Sequence, residues 1–115
     1  MLFRSLVGFR SNETRLITTR AILLEIGNAL AKQRYRLAAS RLLLALETDP
    51  TVQVVSLTEQ LYLRALQLDT DREDKEWGLT DCISFVVMDD EGISEALTTD
   101  HHFRQAGFKA LLLEP

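Results

Sequence analysis

Three acidic side chains stand where a carboxylate could do chemistry. Asp81 heads the run Cys82-Ile83-Ser84-Phe85-Val86-Val87-Met88, which predicts a helix apolar on every side and therefore buried. Its plainer role is a helix-start carboxylate, favoured by the dipole and the free N–H groups. Asp100 follows Glu95-Ala96-Leu97-Thr98-Thr99, which predicts a strand. Open α/β sheets take ligands beyond the carboxyl ends of their strands, although an Asp after a strand is also an ordinary turn former. Glu25 falls beside the apolar stripe of a predicted helix, between the angular positions of Ala21 and Ala29. Taken alone it is a Glu at the edge of a surface. As a group, carboxylate ligands without cysteine select magnesium or manganese.

Other chemistries find fewer parts. Neighbouring His101 and His102 point in different directions on a helix, and no spaced histidine accompanies them. A zinc site needs three or four ligands, so both are expected to be exposed or packed histidines. Cys82 is the sole cysteine, which rules out an internal disulfide and suits a reducing compartment. Inside its apolar run it is expected to be a small buried side chain. There is no glycine-rich phosphate loop, no Gly-x-Ser-x-Gly elbow and no His-Glu-x-x-His.

The elements that must position the carboxylates follow from periodicity. Leu2, Phe3, Leu6, Val7 and Phe9 have helix-like spacing over residues 2–10, and Ser11-Asn12-Glu13-Thr14 reads as a loop. Leu16 to Thr19 predicts a short strand, with Thr18 or Thr19 capping a helix from about Arg20 to Arg34. A second helix from about Tyr35 to Glu47 stops at Asp49-Pro50. Val52 to Ser56 predicts a strand, Thr58 to Leu68 a helix, and Asp69 to Glu76 a charged loop. Thr80 is expected to cap the apolar helix and Gly92 to end it. A short helix from Asp100 to Ala106 stops at Gly107, and Lys109 to Leu113 predicts a last strand. Strands alternating with helices argue for an α/β fold with a parallel sheet covered on both faces.

The chain has 115 residues, which fits one domain spanning residues 1–115. Its net charge of −4 is uneven: residues 1–48 carry eight Lys/Arg against three Asp/Glu, and residues 49–115 carry five against fourteen. An acidic half can hold a cation and a basic half can meet phosphates, though solvated surfaces explain the same asymmetry. No apolar run approaches the length of a membrane span, and the N-terminus lacks a signal-peptide pattern. The expected location is the cytoplasm.

Two stretches carry a resemblance. Asp74-Lys75-Glu76-Trp77-Gly78-Leu79-Thr80-Asp81-Cys82-Ile83-Ser84-Phe85-Val86-Val87-Met88 resembles a segment of PIN-domain proteins. Ala96-Leu97-Thr98-Thr99-Asp100-His101-His102-Phe103, followed by Gly107-Phe108, resembles another. The order Thr18-Thr19, Glu25, Leu79-Thr80-Asp81 and Thr98-Thr99-Asp100 matches as well, and the likeness covers about residues 15–113. It is similar above all to the toxin branch of bacterial toxin–antitoxin modules.

The resemblance implies a three-layer fold, a parallel sheet flanked by helices, with acidic residues gathered at one end of the sheet. It implies that Glu25, Asp81 and Asp100 are the catalytic metal ligands, that Mg2+ or Mn2+ activates a water, and that the substrate is RNA. An antitoxin protein and a homodimer are the implied partners. Lys32, Arg34, Arg36 and Arg41 are candidates for phosphate contact. Three clustered carboxylates would repel one another, and a divalent ion resolves that.

One departure stands out. The family begins with a central strand that ends in an aspartate, and nothing before Leu16 matches it, so residues 1–14 are atypical. The expectation is an N-terminally truncated PIN-like domain. The rival is an inactive remnant that only binds an antitoxin or another copy of itself. A small-molecule α/β domain using the same strand ends is a third reading, which the acidic group argues against.

Overall fold

The computed structural model describes residues 5–10 and 13–113, with side-chain surroundings from Leu16 onward. Ten elements follow one another: β1 (Ser5–Arg10), β2 (Glu13–Thr19), α1 (Arg20–Ala29), α2 (Gln33–Thr48), β3 (Val52–Val55), α3 (Glu59–Asp71), α4 (Leu79–Glu91), β4 (Glu95–Leu97), α5 (His101–Gln105) and β5 (Lys109–Ala110). The five strands form one sheet in the order β3-β2-β1-β4-β5.

The two outer pairs, β2 with β3 and β4 with β5, are parallel, as a βαβ chain requires. β1 lies between them and runs antiparallel to both β2 and β4. The helix expected over residues 2–10 is therefore corrected: Ser5–Arg10 is a strand, and Met1 to Arg4 lie outside the described residues. The reason is tertiary. The facing edges of β2 and β4 carry N–H and C=O groups that need partners, and that demand outweighs a two-turn apolar periodicity. The central place where the resemblance implies a parallel strand is thus filled by a strand of opposite direction.

Smaller differences concern element ends. Glu13 and Thr14, expected in a loop, belong to β2, and α1 stops at Ala29 rather than Arg34. Asp69–Asp71 continue α3, and the last strand is only Lys109–Ala110. The cap of α4 is Gly78, not Thr80, which sits inside the first turn.

Helices cover both faces. Along β3, Val54 packs against Ile22, Leu23 and Ile26 of α1 together with Leu43 and Leu46 of α2. The next residue, Val55, packs against the other cluster, with Leu61 and Ala65 of α3 and Phe85 and Met88 of α4. Successive strand residues point to opposite faces, so this alternation defines the three layers. In α4, Asp81 through Met88 are all buried, as a helix apolar on every side should be. Gly92 ends it in the left-handed conformation, φ 67°, which glycine adopts without steric cost. No helix among the described residues is long and apolar enough to cross a membrane.

Candidate metal centre

β2 and β4 run in the same direction, since both oppose β1. Their carboxyl ends therefore share one rim. Thr19 ends β2 there, fully buried, and its Oγ1 accepts the Ile22 N–H (3.2 Å), which caps α1. Thr98 and Asp100 follow β4 on the same rim. Thr98 Oγ1 accepts the Asp100 N–H (3.0 Å), and Asp100 Oδ1 accepts the His102 N–H (2.9 Å) as the cap of α5. The plainer role expected for Asp100, a local turn former, is real. It also fixes the carboxylate against rotation.

Asp81 is held in the same manner. It is the third residue of α4, and its Oδ2 accepts the Gly78 N–H (3.2 Å). This is the returning half of a capping box, since glycine has no side chain to supply the other half. Asp81 is 2% exposed and Asp100 7%. Burying a carboxylate is costly unless it is hydrogen-bonded or paired.

What joins them is His102. Its Nδ1 lies 3.1 Å from Asp81 Oδ2 and 3.3 Å from Asp100 Oδ1. Two carboxylates nineteen positions apart in sequence thus converge on one imidazole nitrogen. An aromatic cluster behind them fixes the spacing. Phe85, one turn after Asp81, meets Trp77 edge-on (5.0 Å) and Phe103 edge-on (4.9 Å) and stacks on Phe108 (5.6 Å). Trp77 Nε1 donates to Gln105 Oε1 (3.0 Å), tying the start of α4 to the end of α5.

The structure therefore brings Asp81 and Asp100 together. Glu25 is half-buried in the second turn of α1, a helix that packs on α4. Among the described residues the one group of three or more metal-ligand types within reach of a single ion is Asp100, His101 and His102, and both Glu25 and Asp81 are outside it. His102, expected to be an exposed or packed histidine, is packed between the two carboxylates, a bridge that sequence reasoning did not foresee. The available signal was the spacing Asp-x-His at a helix cap, which turns the third residue back toward the first.

The donor set suits a divalent cation. Buried carboxylate oxygens are hard ligands, and an imidazole nitrogen is a borderline one that first-row metals accept. Cys82, next to Asp81 but fully buried, is no thiolate ligand: burial foremost, with the charges of Asp69 and Asp81, pushes its thiol up to about 11. Of the cations proposed for phosphate contact, Lys32, Arg34, Arg36 and Arg41 are all exposed. The ion pair of Arg20 with Glu47 (2.7 Å) ties the start of α1 to the end of α2. Lys32, Arg34 and Arg36 consequently sit at the far tip of that hairpin.

Comparisons with known proteins identify the family. The model of the PIN domain family matches residues 3–109. Among solved structures, VapC20 of Mycobacterium tuberculosis, described as a sarcin-ricin loop cleaving toxin, superposes with a TM-score of 0.73 at 28% identity. The match covers 80% of this chain and 70% of that one. Among curated proteins none matches. With a family model matching most of its length, and carboxylates meeting at the carboxyl rim of its sheet, the chain belongs to the PIN domain family.

Proposed function

We propose that the protein is a divalent-metal-dependent endoribonuclease of the PIN-domain toxin type. One observation carries the reading: Asp81 and Asp100, on different elements and both buried, converge on one point at the sheet rim. The likeness to a toxin that cleaves RNA supports RNA as the substrate class. In this reading Asp81, Asp100 and Glu25 hold Mg2+ or Mn2+. The bound ion supplies a nucleophilic water at neutral pH and neutralises charge developing on the phosphodiester.

The chain's own residues perform the rest. Thr98 holds the backbone of Asp100, the His102 N–H fixes the rotamer of its carboxylate, and the Gly78 N–H fixes that of Asp81. The aromatic cluster keeps water away from the back of the site. Lys32, Arg34, Arg36 and Arg41 offer phosphate contacts on an exposed face. An antitoxin and a second copy of the chain are the proposed protein partners, and the cytoplasm the proposed location. Exposed Leu37 and Leu44, two turns apart on α2, support a protein partner, because exposed apolar surface along one helix face marks interaction sites.

The rival reading, an inactive binding module, is favoured by the direction of β1. Its carboxyl end, Arg10, pairs with Glu13 at the rim opposite Asp100, so β1 ends without a carboxylate at the site. Calorimetric Mn2+ binding and cleavage of RNA by wild type and Asp81→Asn separate the two. The nuclease reading expects wild type to bind and cleave, and Asp81→Asn to fall to background in both. Wild type that neither binds nor cleaves leaves only the binding module.

A further inference from the structure

We propose that the tip of the α1–α2 hairpin is a second RNA site, one that grips the strand well away from the cut and works without the metal. It rests on the nuclease reading for its ligand and adds where, and how far from the rim, that ligand is held.

The case starts from unpaired charge. Between Glu25 and Glu47 the chain has no Asp or Glu, yet it carries Lys32, Arg34, Arg36 and Arg41. Elsewhere surface arginines are neutralised. Arg20 grips Glu47 and Arg64 grips Asp90, each through two hydrogen bonds, and Arg72 pairs with Asp74. Among the described residues none of the four hairpin cations has a carboxylate partner. Three of them also stand where a helix disfavours them. Lys32 caps α2, and Arg34 and Arg36 belong to its first four residues, with no acidic residue in that turn. This is the positive end of the helix dipole, so folding alone does not call for cations there.

The tip offers more than charge. The Arg36 guanidinium donates to the Ala31 carbonyl (2.7 Å), and that of Arg34 lies over the Tyr35 ring, 4.6 Å from its centroid. Tyr35 is 40% exposed. Cations beside an exposed ring suit a nucleic-acid strand, whose phosphates take the charges and whose bases stack on the ring. An acidic protein segment would satisfy the charges and leave the ring without a base.

Reach follows from the helices. Thr19 caps α1 at the rim, and the ten residues of α1 carry the chain about 15 Å away. From the tip α2 returns to Glu47, which meets Arg20 beside Thr19. Arg41 lies two turns after Arg34 on the same helix face, so cations mark a path from the tip back toward the rim. To reach the tip, an RNA must extend about five stacked nucleotides from the cut, at about 3.4 Å each.

The test uses a stem–loop RNA of about twenty nucleotides and one that reaches only about two nucleotides past the cut on each side. Binding of the long RNA is measured in EDTA over a range of salt, and cleavage of both is followed in Mn2+. The triple variant K32Q, R34Q, R36Q keeps good helix formers in place. It should reduce the slope of log affinity against log salt by about 2 to 3. It should raise KM for the long RNA about tenfold or more at moderate salt, with kcat and the short RNA changing far less. Y35A should weaken binding about fivefold or more. R64Q, which removes a cation already paired, should leave the slope unchanged.

A triple variant with the wild-type slope, or with equal losses on long and short RNA, overturns the tip site and leaves the nuclease reading standing. Tighter binding of a polyglutamate peptide than of RNA, lost in the same variant, assigns the tip to an acidic protein segment and overturns the RNA site too. Wild type that binds RNA in EDTA through these residues but cleaves none keeps the tip as an RNA contact and overturns the nuclease reading.

Discussion

The corner where α4 meets α5 and the hairpin of α1 and α2 serve the same sheet with opposite economies of side chains. In α4 eight consecutive residues, Asp81 to Met88, are buried. In α2, longer at sixteen residues, only Ala39 is. The corner is closed by three aromatic rings around Phe85, while the hairpin leaves Leu37 63% and Leu44 65% exposed. Two carboxylates held 3.1 Å and 3.3 Å from one imidazole nitrogen need rigid backing, because a site loosened by about 1 Å fails. A surface kept for a partner needs the reverse, apolar side chains facing outward.

The largest effect that could break this comparison is expected at Phe103. It is fully buried, it meets Phe85 edge-on at 4.9 Å, and it directly follows His102. Phe103→Ala should cost about 3–5 kcal/mol in urea unfolding, the usual range for a fully buried phenylalanine. It should also weaken Mn2+ binding, because α5 loses its anchor. A variant that unfolds like wild type would show that the aromatic corner is not what holds the rim together.

Legibility in the sequence follows the same division. The apolar run from Cys82 to Met88 admits one environment, and α4 is buried as its composition demands. Gly92 and Asp49-Pro50 end their helices because backbone geometry at those residues is a local matter. Asp81 and Asp100 were recognisable as candidates from their places at the head of a helix and the end of a strand. His102 was not, because which of two adjacent histidines turns back toward a capping aspartate depends on how a five-residue helix docks. The direction of β1 was equally hidden, since a strand's partners lie elsewhere in the chain and its own apolar spacing resembled a helix. The outward leucines of α2 fit an amphipathic helix without showing what would cover them.

A second prediction tests the corner from within. Ser84 is fully buried, and its Oγ has no hydrogen-bond partner among the described residues. A buried hydroxyl left unsatisfied carries its desolvation cost, and alanine is the better helix former. Ser84→Ala should therefore stabilise the protein by about 1 kcal/mol, seen as a higher urea midpoint with unchanged slope. Destabilisation instead would mean that the hydroxyl has a partner and that the corner is more polar than its packing indicates.

The smallest effect belongs to the hairpin and sharpens the contrast most. Leu44 is 65% exposed on α2, so its side chain keeps most of its contact with water in the folded chain. Leu44→Ser removes little buried apolar area, and surface substitutions of this kind usually stay within about 0.5 kcal/mol. The unfolding midpoint of the isolated protein at low concentration should barely move. If that face is covered by a partner, the same substitution must act on association: the midpoint of wild type should rise with protein concentration if the partner is a second copy, and that of Leu44→Ser should rise less. A loss well above 0.5 kcal/mol at low concentration would place Leu44 in the hairpin's own core, and the difference between the two regions would then be one of degree.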